Sequence, residues 1–194
     1  LNGRVDAVLP SGEIVSVRVE RAHLEEDAGK LTHPDGVNYS LVDLNRAGTP
    51  LLEIVSFPDI HSAVDAKAYA RELYLLMRYA GVSDADLFYG NMRFDVNVSV
   101  CEDPSRLGTR SETKNLNSFR SVEKAVEYEI KRQTELLEKG EKVVQETRGW
   151  DDTKQKTFSQ RSKEDAHDYR YFPDPDIPPV EISPETIQAT EKNM

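Results

Sequence analysis

Cysteine is almost absent: Cys101 stands alone among 194 residues. Neither a disulfide framework nor a cysteine-based zinc site can be assembled within the chain, and a reducing, cytoplasmic-type compartment fits that usage. No apolar run approaches the roughly 18 residues of a membrane span, and the opening Leu1-Asn-Gly-Arg4 lacks the layout of a signal peptide. Basic residues are in deficit, with 25 Lys and Arg against 35 Asp and Glu for a net charge of −10. A domain that holds a nucleic-acid backbone unaided has the opposite balance, although a local basic patch or binding shared with a partner remains compatible. Phosphate loops are missing too: there is neither a Walker A motif nor Gly-x-Gly-x-x-Gly after a strand. No Gly-x-Ser-x-Gly elbow occurs and Cys101 has no basic companion, which argues against acyl-transfer hydrolysis. His23, His33, His61 and His167 are scattered without ligand spacing.

What is present can fill one substantial core, with 38% hydrophobic and 31% charged residues. Arg4 to Leu9 and Ile14 to Val19 read as a hairpin around Pro10-Ser-Gly-Glu13. Tyr39 to Leu44 and Leu51 to Val55 read as strands, and the Gly, Pro, Asn and Asp between Thr32 and Asn38 as a surface loop. Ser62 caps a helix with Asp65 at its third position, and Ala66, Tyr69, Ala70, Leu73, Leu76, Met77 and Ala80 form its apolar stripe before Gly81. A second helix starts at Ser118 or Ser121 and runs to Lys139, with Val122, Ala125, Val126, Ile130, Gln133, Leu136 and Leu137 inward and Gly140 as its stop. Val143 to Arg148 and Thr157 to Arg161 read as strands around a loop at Gly149 to Lys154. Prolines from Pro173 to Pro184 are too dense for a regular element, and the last ten residues read as the start of a helix. Irregular alternation with hairpin connections predicts an α+β class with a mainly antiparallel sheet.

The chemistry concentrates in Arg93-Phe-Asp-Val-Asn-Val-Ser99 and Arg110-Ser-Glu-Thr-Lys-Asn-Leu-Asn-Ser118. Strict alternation sends Phe94, Val96, Val98 and Val100 to one face and Arg93, Asp95, Asn97 and Ser99 to the other, while Arg110, Glu112 and Lys114 share a face. Two readings are open: an ordinary solvated sheet face, or a face that holds a divalent cation and phosphates by acids, amides and a lysine. Magnesium takes oxygen ligands from several elements, so Glu25 or Glu26, Glu53, Asp95 and Glu112 are the candidate acids. Glu53 sits within the apolar run Leu51-Leu-Glu-Ile-Val55. There it is either such an acid or a buried ion pair with Arg46 or Arg93. Asp168 to Asp176, with its aromatics and an arginine, is either a base- or phosphate-binding run or a strand end locked by stacking.

Five segments taken together, Ala22 to Lys30, Tyr39 to Pro50, Lys114 to Phe119, Gln145 to Arg148 and Asp168 to Asp176, resemble the B-subunit family of the tRNA-dependent amidotransferases. The similarity runs to about Ile182. It implies a cradle-shaped catalytic domain over residues 1–182, related to glutamine synthetase and guanidino kinases, with residues 183–194 beginning a connector. It also implies use of Mg2+ and ATP to phosphorylate the side-chain carboxylate of misacylated Glu-tRNA(Gln) or Asp-tRNA(Asn). Ammonia from a glutaminase A subunit then displaces the phosphate, in a cytoplasmic or organellar complex that also holds a small C subunit. By motif, Glu26, Asp95 and Glu112 carry over as metal and phosphate-site acids, with Glu25 and Glu53 beside them as metal candidates. Position adds Lys114 and Arg93 as charge neutralisers, and Asn97 and Asn115 as nucleotide contacts.

The sequence departs from the family pattern in two ways. The family chain is longer at both ends, so the expectation is a fragment that lacks an active-site strand and the tRNA-gripping tail. Phe57, Phe88, Tyr89 and Phe94 replace residues that are acidic, or cysteine at position 94. These aromatics either repack a neighbouring core or mark an altered phosphoryl-transfer site. A noncatalytic scaffold or tRNA-contacting module is therefore the rival expectation.

Overall fold

The computed structural model describes residues 3–103, 105–162 and 178–193. These divide into two compact units, one of the described residues in 3–24 and 51–162, the other of residues 25–50 and 178–193. Asp168 to Asp176 lies outside the described residues.

In the first unit, β1 (Arg4–Val8) and β2 (Ile14–Glu26) form the expected hairpin, and β5 (Pro50–Ser56) lies on the other side of β2. The pair is antiparallel, with Val5 opposite Val17, and both side chains are buried. α1 (Ala63–Tyr79) begins where the capping pattern placed it: the Ser62 hydroxyl accepts from the backbone N–H of Asp65 at 3.1 Å. The stripe is shorter than its periodicity suggests. Ala66, Tyr69, Ala70 and Leu73 are buried, whereas Leu76 is already 36% exposed in the last turns. Tyr69 and Leu73 pack on Val5 and Val17 of the first sheet, while Ala66 and Ala70 join Val122, Ala125 and Val126 of the second long helix.

That helix, α2 (Phe119–Glu138), is capped by Ser118, whose hydroxyl accepts from the Ser121 N–H at 3.0 Å. Gly140 follows with φ +75°, the left-handed conformation that ends a helix. Leu137, expected inward, is 39% exposed. α2 connects strands of a four-stranded sheet, ordered β6 (Phe94–Val98), β7 (Ser111–Leu116), β8 (Glu146–Asp151), β9 (Lys156–Ser162). β6–β7 and β8–β9 are antiparallel. β7–β8 is parallel, as a helical crossover between neighbouring strands permits. The expected strand from Val143 is displaced: β8 starts at Glu146 and continues through Gly149, Trp150 and Asp151, residues read from sequence as loop. Gly149 fits there because a Cβ would come within 2.4 Å of the Phe158 ring. The class is α+β with mainly antiparallel sheets.

In the second unit, β3 (Lys30–Thr32) and β4 (Leu41–Asp43) form a short antiparallel pair. The Asp27 N–H donates to Thr49 O and the Gly48 N–H to Asp27 O, both at 2.9 Å, and Arg46 Nε lies 2.8 Å from the Asp27 carboxylate. α3 (Pro184–Asn193) has no buried residue. No helix among the described residues is long and apolar enough to cross a membrane.

Candidate functional site on the β6–β7–β8 face

β7 presents two faces of opposite character. Ser111 and Thr113 are fully buried, and Glu112 and Lys114 point to the other side, with 15% and 31% of their side chains exposed. Alternation alone would next bury Asn115. Instead Phe94 pairs with Leu116 and Val96 with Thr113, so Lys114 and Asn115 together oppose the single residue Asp95. This is a β-bulge, and Asn115 takes φ +60° in it. The extra residue resets the parity, which returns Leu116 to the core at 1% exposure.

The bulge gathers the polar groups. Lys114 Nζ lies 3.6 Å from Asp95 Oδ2 and 3.6 Å from Glu112 Oε1. The Asn115 N–H donates to Asp95 Oδ1 at 2.8 Å, and Arg93 reaches the Asn115 side-chain oxygen at 3.5 Å. Asn97 stands directly opposite Glu112, and Glu112 in turn opposite Thr147. The Thr147 hydroxyl donates to Glu112 Oε2 at 3.4 Å. Asp95, Asn97, Glu112, Lys114, Asn115 and Arg93 are thus brought together. Thr147, which the alternation argument missed, joins them; it lies within the Gln145 to Arg148 segment. The two carboxylates and the Asn97 amide offer oxygen donors, the type a hard divalent cation takes, so the chemistry of these residues fits Mg2+.

The remaining acids belong to β5 and β2. Glu53 is not buried: its side chain is 45% exposed, with His23 Nε2 at 3.3 Å and Arg21 at 3.7 Å. Of the two arginines expected beside it, Arg46 pairs with Asp27 and Arg93 reaches Asn115. Glu25 and Glu26 are the last residues of β2 and so face opposite sides of that strand.

The aromatic departures separate by role. Phe94 packs in the core with Phe119, ring centroids 6.0 Å apart, and Tyr74 meets Phe119 edge-on at 5.5 Å. That is repacking. Phe57 lies under the Arg18 guanidinium, 4.7 Å from its ring centroid. Arg18 also forms a bidentate pair with Asp59 at 2.7 and 2.8 Å, whose hydrogen bonds hold the Asp59 carboxyl down at about 2. Phe88 and Tyr89 stay 88% and 77% exposed, on a turn whose backbone N–H groups donate to Asp86 Oδ1 at 2.8 and 3.0 Å.

Behind β7 lie Glu129, which sequence reasoning overlooked, and Gln133, which it placed on the inward face of the second helix. Glu129 of α2 is completely buried. Its carboxylate accepts from the Ser111 hydroxyl at 2.6 Å, the Thr157 hydroxyl at 2.5 Å and Arg132 at 2.7 Å, with Arg148 Nε 3.0 Å away. Burial pushes its pKa up, but the hydrogen bonds from Arg132, Ser111 and Thr157 outweigh that and bring it down to about 2. One turn on, Gln133 donates to Val98 O at 2.9 Å and accepts from the Val100 N–H at 3.1 Å. The available signal was two polar residues, four apart, on the face that carries Val122, Ala125 and Val126.

Comparison with known proteins agrees with the resemblance seen in the sequence. The profile of the GatB/GatE catalytic domain matches residues 1–188. The chain is 53% identical over 194 residues to the B subunit of the aspartyl/glutamyl-tRNA(Asn/Gln) amidotransferase of Persephonella marina, covering all of this chain and 40% of that protein. It is 54% identical to the B subunit from Coxiella burnetii (strain RSA 493 / Nine Mile phase I), again over the whole chain and 41% of the relative. It is 52% identical over 186 residues to that of Ruminiclostridium cellulolyticum, covering 95% of this chain and 38% of the relative. The chain therefore spans about two fifths of the length of these relatives, and it belongs to the GatB/GatE catalytic domain family.

Proposed function

We propose that this domain activates a carboxylate with ATP within a longer amidotransferase B subunit, as part of converting Glu-tRNA(Gln) or Asp-tRNA(Asn) to the amide. A carboxylate has no good leaving group. Transfer of the ATP γ-phosphoryl to its oxygen supplies one, and ammonia from a glutaminase partner then attacks the carbonyl carbon and displaces phosphate. Asp95 and Glu112 would hold Mg2+, with Glu26, Glu25 and Glu53 as further acids and Asn97 and Asn115 contacting the nucleotide. The ion supplies charge that the phosphate oxygens share. Lys114 and Arg93 offset the charge that develops on the transferred group. In this reading residues 1–182 are the catalytic part, with the glutamine synthetase-like architecture of the family, and residues 183–194 lead into a connector. The assembly would contain the A and C subunits and misacylated tRNA, in cytoplasm or organelle.

The observation that carries this reading is the Lys114 ammonium set 3.6 Å from both Asp95 and Glu112 on one solvent-reachable face. Titration calorimetry of the full-length subunit with Mg2+ and ATP tests it. Asp95→Ala with Glu112→Ala is expected to abolish measurable binding, and binding equal to wild type would sink the assignment.

One observation favours a noncatalytic, tRNA-contacting role instead: Phe88 and Tyr89 are 88% and 77% exposed and pack edge-to-face on each other, a pair of aromatic rings on the surface of the kind on which bases stack. Under that reading Phe88→Ala with Tyr89→Ala would weaken tRNA binding while the acids' variants would leave amide formation unchanged.

A further inference from the structure

The buried carboxylate of Glu129 is poorly explained by stability alone. Taking an acid and two arginines out of water costs several kcal/mol per ion, and well-packed apolar side chains often do as well. Geometry gives the better account. Glu129 and Gln133, on one face of α2, make polar contacts to all four strands of the second sheet. They hold β6 through Val98, the segment just after it through Val100, β7 through Ser111, β8 through Arg148 and β9 through Thr157. Parallel β7 and β8 are paired at two positions, Glu112 with Thr147 and Thr113 with Arg148. On the core side of this short pairing lies Glu129; on the other side lies Glu112, 15% exposed at its side chain, with the hydroxyl of the buried Thr147 donating to it. A slip of one residue would turn each side chain of the strand to the wrong face.

We propose that Glu129 is a positioning residue for Glu112. Bound at once by groups from β7, β8 and β9, it fixes the register that sets the Glu112 carboxylate beside Thr147. This rests on the reading of Glu112 as a cation-holding acid. Glu129 itself touches no reacting atom. It acts as the supporting groups behind metal ligands do, by removing the alternative positions of the ligand.

The test uses the full-length subunit in its complex, with Mg2+ affinity measured calorimetrically at saturating ATP and thermal midpoints recorded in parallel. Glu129→Gln keeps the volume and removes the charge; Ser111→Ala removes one hydroxyl; Val126→Ala, on the same helix, opens a cavity without touching the network. Glu129→Gln is expected to weaken Mg2+ binding about tenfold, Ser111→Ala by a smaller factor, and Val126→Ala not beyond error despite its lower midpoint. In a Glu112→Gln background, Glu129→Gln should add nothing further. If Glu112→Gln weakens Mg2+ binding but Glu129→Gln and Ser111→Ala do no more than Val126→Ala, the positioning role is overturned and the site reading stands. If Glu112→Gln itself changes nothing, the site reading fails and takes the positioning role with it. Should Glu129→Gln not fold, Ser111→Ala against Val126→Ala decides the matter.

Discussion

The Asn115 N–H donates to Asp95 Oδ1 at 2.8 Å across the bulge, so an exposed acid of β6 is tethered by the backbone of the β7 residue whose φ is +60°. Asparagine is among the few residues that take this conformation at small cost, because its short polar side chain interacts locally. The site therefore depends on backbone handedness as well as on side-chain identity.

Asn115→Gly is expected to leave stability within about 0.5 kcal/mol of wild type, whereas Asn115→Val, β-branched at positive φ, should lower it by about 1–3 kcal/mol. Urea unfolding of the full-length subunit distinguishes them. Equal stability of the two variants would mean that the left-handed conformation does not constrain this position.

Acid should destabilise the fold through Glu129. Its folded pKa, about 2, lies below the ordinary 4.5. Its contribution is fully present above the ordinary value and is lost as pH falls from there toward 2. Asp59, held at about 2 by Arg18, acts in the same direction. Thermal midpoints of the wild type should fall across that window, and Glu129→Gln should flatten part of the fall. A variant curve parallel to wild type would refute the ionised, hydrogen-bonded state of Glu129.

Two glycines should differ in tolerance. A Cβ at Gly108 would sit 2.2 Å from Val100 O, a backbone atom that cannot yield. At Gly149 it would meet the ends of Phe158 and Gln160, exposed side chains that can swing away. Gly108→Ala should cost about 2–3 kcal/mol and Gly149→Ala about 1 kcal/mol. The comparison of their denaturation midpoints checks the order.

Removing either helix cap should cost about 1 kcal/mol, since Ser62→Ala and Ser118→Ala each strip one acceptor from a first-turn N–H. Ser118→Ala also loses the hydroxyl contact to Ser121 at 2.7 Å. Its midpoint should therefore drop at least as far as that of Ser62→Ala, and a smaller drop would argue against that contact.

Local signals carried both long helices into view, because a cap and a 3.6-residue stripe are written in adjacent residues. The wet face of β6 and β7 was legible for the same reason: alternation needs no partner. What escaped was non-local. Ala22 to Glu26 did not read as strand because it runs into three successive acids, Glu25, Glu26 and Asp27, yet β2 continues through the first two of them. Gly149 read as a breaker because nothing nearby announces Phe158 lying against it. Thr147 joins Glu112 through a parallel pairing that spans α2. Glu129 resembles any surface glutamate until Ser111, Arg148 and Thr157 arrive from three strands. The Asp95 bulge was likewise invisible, since it exists only in the pairing of β6 with β7.

The grip of α2 on the second sheet also bears on how that sheet moves. Strands held one by one would fray independently, each exchanging its amide hydrogens at its own rate. Here the departure of β7, β8 or β9 exposes a carboxylate that the other two still share, and the departure of β6 strands the Gln133 amide, so a partial opening is penalised. Hydrogen exchange across β6 to β9 and the middle of α2 should thus report a single opening equilibrium, a cooperative block against which the exposed turn at Phe88 and Tyr89 can move without disturbing the acids.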